Sequence, residues 1–271
     1  MNLDIDKFKK KIDKLVANGS ITSQTASTYY YCTRRLAEEL KNNTVDASAI
    51  EKAINSKAGT RQEMMKYVSA IRKYEDEVLN KSKSLLFGEP EIKLFQNYNA
   101  ASSNSKGKIL KHSSDTVERK INGLRNEKLK YALRLQLKSG LRIKEIADVK
   151  KEDISFDGDK TIIHVQQGKG NKKRIVETIE DKYLVDKLKG WASKHEDGEK
   201  LFYSRNYLRK KATELGIPTH DLRRINAQKR FQKELDTGKD RAEAKATVKK
   251  QLGHEKIKTT NIYLRYRHKK A

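Results

Sequence analysis

Apolar side chains in the first hundred residues recur at spacings of three and four, the period of a helix with one buried face. The pattern predicts helices over residues 4–17, 23–41, 46–54, 61–79 and 89–96, with Asn18-Gly19 and Ala58-Gly59 as breaks and no strand-like alternation between them. A stretch rich in Ser, Asn and Lys follows. It carries few apolar side chains, so residues 98–114 read as a linker. The helical period resumes over 116–124 and 127–138, and a short helix is expected from Arg142 to Val149. Residues 153–156, 161–167 and 174–178 instead alternate β-branched and polar side chains, the rhythm of strands, with Gly168-Lys169-Gly170-Asn171 as the turn between the last two. Helices are expected from Asp181 to the end, broken near Gly198, Gly216-Ile217-Pro218 and Gly253. The expected fold is mainly α with a small antiparallel β-sheet, in two domains covering 1–97 and 115–271.

Charge separates the two domains. The chain has 61 Lys and Arg against 36 Asp and Glu, a formal net charge of +25. Residues 1–100 hold 17 basic and 13 acidic side chains, a net +4, so residues 101–271 carry +21. A field of that size repels itself in a compact globule unless a polyanion neutralises it, which points to nucleic acid without choosing between DNA and RNA. The single cysteine, Cys32, has no partner for an intramolecular disulfide or a zinc motif, which fits a reducing compartment. The N-terminus lacks the apolar core of a signal peptide, and no apolar run approaches the roughly 18 residues of a membrane span. A cytoplasmic protein with no membrane partner, no metal and no cofactor is expected.

The candidate chemistry lies in the basic half. His220-Asp221-Leu222-Arg223 is followed by Leu252-Gly253-His254, and Tyr263 comes nine residues after that histidine. Arg142 lies upstream in SGLRIKEI, and Lys169 lies in QGKGNKKR. These are the parts of a metal-free phosphoryl transfer. A guanidinium holds two phosphate oxygens through a planar fork, so Arg142 and Arg223 could do the electrostatic work that magnesium does elsewhere. A tyrosine hydroxyl, with an ordinary pKa of about 10, needs dense positive charge and a proton acceptor to become a nucleophile. His220 or His254 could accept that proton. The leaving oxygen needs a proton in return, and a lysine beside other cations is a suitable donor. Taken singly, Lys169 reads better as a solvated turn lysine and His254 as a helix-boundary residue, and Tyr266 rivals Tyr263 one turn on.

This ordered set resembles the tyrosine recombinase, or phage integrase, family. The resemblance rests on SGLRIKEI, IIHVQQGKGNKKRIVET, HDLRR and LGHEKIKTTNIYLRY, which together span Ser139 to Tyr266. It implies that Tyr263 attacks the phosphodiester and forms a 3′-phosphotyrosine. Arg142, His220, Arg223 and His254 would bind and activate the phosphate, and Lys169 would protonate the 5′ oxygen. Glu145 would orient a guanidinium by a salt bridge. It further implies a helical core-binding domain over 1–97, a catalytic domain over 115–271, double-stranded DNA carrying recombination sites as partner, and a homotetramer in the synaptic complex, as for a mobile-element integrase. A type IB topoisomerase-like enzyme and a catalytically silent DNA-binding protein of the same fold are the alternatives.

Three departures from the family pattern modify these expectations. Arg224 stands where the family often has a histidine. The segment KELDTGKDRAEAKATV lengthens the interval from Arg223 to His254 and is expected to add helix. Only eight residues follow Tyr263, which leads to the expectation of a monomer without DNA.

Overall fold

The structure, a computed structural model, describes residues 3–41, 45–80, 109–110, 112–166, 168, 173–265 and 267–268. The chain divides into two compact units, 1–105 and 106–271.

The first unit holds helices α1 (Ile5–Ala17), α2 (Ser23–Glu39), α3 (Ala47–Lys57) and α4 (Arg61–Val78). Each begins where a side-chain oxygen meets a free backbone N–H: Asp4, Thr22, Asp46 and Thr60 accept from Lys7, Thr25, Ala49 and Glu63. Met64, Tyr67, Val68, Ile71 and Tyr74 form the buried stripe of α4. It packs against Leu36 of α2, Ile50 and Ile54 of α3, and Phe8 of α1. The expected helix over 89–96 lies outside the described residues, as does most of the expected linker.

The second unit begins with β1 (Ile109–Leu110), which pairs in parallel with β5 (Arg267–His268). Both strands depart from the sequence expectation. Ile109 and Leu110 fall in the stretch read as linker, yet Leu110 is fully buried in the core of the second unit. The chain end, expected to be helical, is drawn into a strand because its partner comes from more than 150 residues away in sequence. Local patterning holds no trace of such a pairing.

Between these strands lie α5 (Ser114–Asn122), α6 (Glu127–Ser139), α7 (Ile143–Asp148), the meander β2 (Ile154–Asp157), β3 (Lys160–Val165) and β4 (Arg174–Glu177), then α8 (Lys182–Ala192), α9 (Arg205–Glu214), α10 (Thr219–Asp236), α11 (Arg241–Leu252) and α12 (Ile257–Leu264). The meander is antiparallel with Ile163 opposite Val176, so Ile163, Val165 and Val176 face the core while His164 and Ile175 point away. Helix α6 is the most buried element, with Leu129, Ala132, Leu133, Leu135 and Leu137 all inside. The long interval after Arg223 is shared between the end of α10 and the start of α11, joined by a turn at Gly238. Among the described residues no helix is long and apolar enough to cross a membrane.

Helix α6 ends at Gly140, in the left-handed conformation at φ +69°. A Cβ there would lie 2.5 Å from Asn226 Oδ1 and 2.8 Å from a Leu252 methyl. Asn226 has little room to retreat, because its amide donates to the carbonyls of Leu137 and Lys138 at 3.0 and 2.8 Å. Gly140→Ala is therefore expected to lose about 2 kcal/mol or more, the sum of left-handed strain and overpacking. Gly158→Ala, at φ +53° with open space around it, should lose only about 1 kcal/mol. Urea unfolding of the two variants checks this; equal losses would mean that Asn226 and Leu252 yield freely.

Candidate active site

Helix ends converge on the site. Arg142 is the cap of α7, and its backbone N–H donates to Glu145 Oε2 at 2.7 Å while its guanidinium donates to Oε1 at 2.9 Å. This is the i,i+3 pair expected from sequence. Arg142 also reaches the Gly253 carbonyl at 3.4 Å, which joins α7 to the end of α11.

Arg223 sits one turn into α10 and is only 1% exposed. Its terminal nitrogens donate to the buried Gly140 and Leu252 carbonyls, at the C-terminal ends of α6 and α11. Those carbonyls are the negative poles of two helix dipoles, so a buried cation is favoured there. Burial, with the Arg142 charge second, lowers the Arg223 pKa to about 10, still well above neutral, and the charge is retained.

Tyr263 projects from α12. Its hydroxyl lies 3.4 Å from His220 Nδ1, and its ring meets the buried His254 ring edge-on, with centroids 4.8 Å apart. The guanidinium carbons of Arg223 and Arg224 each stand 5.8 Å from the tyrosine ring centre. His254 shares a 3.0 Å hydrogen bond with the buried Thr260, which fixes its ring. Loss of water around the ring, followed by the charges of Arg224, Arg223 and Arg142, holds the His220 pKa below its ordinary value of 6.5, against the opposing pull of Asp221.

The structure thus brings Arg142, Glu145, His220, Arg223, His254 and Tyr263 into one site. Lys169 and the rival Tyr266 lie outside the described residues. Three side chains here escaped the sequence reading. Thr260 gives no local signal. Arg224 was noted only as a departure, yet it flanks the tyrosine and forms an ion pair with Asp221 at 2.5 Å. Arg174, at the start of β4, forks onto both Glu145 oxygens at 2.9 and 2.8 Å. Burial raises the Glu145 pKa, but Arg174 and then Arg142 outweigh it and hold the carboxyl below its ordinary range. An open cavity of about 710 Å³ beside this group is lined by Arg142, Arg174, His254, Lys173, Lys249 and Lys250, a chemistry suited to anions.

Comparison with known proteins gives the family and the fold. A tyrosine recombinase XerA of Saccharolobus solfataricus is 34% identical over 156 residues, which are 54% of this chain and 49% of that protein. The chain therefore spans about half the length of this curated relative. The fold resembles the XerH site-specific recombinase bound to its difH substrate, with TM-score 0.64 at 17% identity over 88% of this chain and 74% of that one. It also resembles lambda integrase in a tetramer bound to a Holliday junction, with TM-score 0.65 at 16% identity over 98% and 78%. The profile of the phage integrase family matches residues 108–270, more than half of the sequence and the whole of the site just described, and the chain belongs to that family.

Proposed function

We propose that the protein is a site-specific DNA recombinase that cuts and rejoins double-stranded DNA through a 3′-phosphotyrosine at Tyr263. The observation that carries this reading is the Tyr263 hydroxyl, held 3.4 Å from His220 and beside the cations Arg223 and Arg224. His220 accepts the phenolic proton as the oxygen attacks phosphorus. Arg142 and Arg223 neutralise the nonbridging oxygens as charge builds on them. The bond to the 5′ oxygen then breaks, and Lys169 supplies its proton. Energy of the cut ester is kept in the phosphotyrosine, so no nucleotide is consumed.

The basic second unit and the basic cavity support DNA as the partner. The likeness to a lambda integrase tetramer supports assembly of four protomers on paired sites. A mobile element is the proposed setting, with residues 1–97 as the core-binding domain and 115–271 as the catalytic one. The test is capture on nicked duplexes taken from DNA flanking the gene, with mapping of the adduct by mass spectrometry. A tyrosine adduct at Tyr263 is expected. DNA binding without any covalent product would instead mark a silent DNA-binding protein.

The His220 environment sets the pH dependence. The base must be neutral, and its pKa lies below 6.5, so the rate should hold down to that pH and fall only in more acidic buffer. Single-turnover cleavage between about pH 5 and 8 measures the limb. An acidic limb that persists unchanged in His220→Gln would remove His220 from the role of base.

A further inference from the structure

The proposed reaction uses the charge of Arg142, yet Arg142 is already paired. Its guanidinium and backbone both donate to Glu145, whose side chain is only 3% exposed. A single arginine against a single buried carboxylate has no net charge, and a phosphate approaching such a pair would feel little attraction. Turning Arg142 toward the phosphate would then leave a buried carboxylate without compensation, which is costly.

Arg174 changes that balance. It comes from β4, reaches Glu145 from the other side, and matches both carboxylate oxygens with a bidentate fork while remaining 14% exposed. Two cations around one anion carry a net +1. Glu145 stays compensated when Arg142 engages an anion, and the backbone contact at 2.7 Å still fixes the head of α7. The packing enforces this position. A Cβ on Gly253 would lie 3.0 Å from Arg174 Nε and 3.1 Å from its Cζ, so the left-handed glycine before His254 leaves the space that the guanidinium fills.

We propose that Arg174 is a positioning residue for DNA cleavage, one that compensates Glu145 so that Arg142 is free to engage the scissile phosphate and stays aimed at it. This rests on the recombinase reading above.

The experiment compares single-turnover cleavage by the full chain on two nicked duplexes, one with an ordinary scissile phosphodiester and one with a methylphosphonate, which lacks the nonbridging charge. Arg174→Gln should slow the ordinary substrate roughly tenfold to a hundredfold, the scale of a misplaced reacting group. On the methylphosphonate the same variant should stay within about threefold of the unmodified protein, because that substrate starts neutral and builds up one negative charge fewer for Arg142 to meet. Adding Glu145→Gln should rescue Arg174→Gln on the ordinary substrate, since a neutral residue 145 frees the Arg142 charge again. Equal losses on both substrates, or a double variant no faster than the single one, would reduce Arg174 to a packing role and overturn the proposal. Should Arg174→Gln fail to fold, Arg174→Lys, which keeps the charge and loses the fork, is put through the same two-substrate comparison. Absence of any covalent product from the unmodified protein on both duplexes would overturn the recombinase reading itself, and this proposal with it.

Discussion

Tyr263→Phe is expected to abolish covalent capture on a nicked duplex while leaving DNA affinity within about twofold of the unmodified protein. Only the hydroxyl is removed, and that oxygen is the atom the mechanism transfers to phosphorus. The edge-on packing against His254 survives the change, because it needs the ring and not its oxygen. Gel-shift titration and adduct formation on the same DNA separate the two effects. Capture that persists in Tyr263→Phe and disappears in Tyr266→Phe would move the nucleophile to the later tyrosine.

The second large effect is expected at Arg223. Lysine keeps the charge but offers one ammonium in place of a planar fork, and it cannot meet the Gly140 and Leu252 carbonyls together. Arg223→Lys should therefore slow cleavage at saturating DNA by at least about a hundredfold, the scale for losing one transition-state donor. It should also lower the melting temperature, because a carbonyl at the end of α6 or α11 is left buried without its donor. If affinity falls as far as the rate does, Arg223 is an anchor for the DNA backbone and not a stabiliser of the transition state.

Much of the fold could be read from local chemistry. Asp4, Asp46 and Thr60 announce their helices because a cap acts within three residues, and the alternation around Ile163 and Val176 marks strands because the pleat has a period of two. The salt bridge of Glu145 to a guanidinium is expected through the family resemblance, and the structure shows it made with Arg142, three residues away on one short helix. What escaped was long-range. Arg174 meets Glu145 across 29 positions, and its identity as the first residue of a strand says nothing of that partner. The contact between His220 and Tyr263 spans 43 positions and could be anticipated only through family resemblance. Strand β1 hid in a stretch whose lysines and serines outnumber its apolar residues, since it is stabilised by a partner at the far end of the chain.

The way Arg223 is held has a consequence for how this chain can change. Its resting partners are carbonyl dipoles, which favour the cation without cancelling it, whereas Arg142 faces a full negative charge and depends on Arg174 for relief. The cation at Arg223 thus keeps its charge uncancelled, but it is held in place only while two helices stop in the correct rotational phase. One residue inserted or deleted within α6 or α11 turns the last carbonyl by about 100°, away from the guanidinium. The turn at Gly238, with open space around its backbone, can lengthen or shorten freely. Length variation in this half of the molecule should therefore collect at such turns, while the numbers of residues in α6 and α11 stay locked to the reaction.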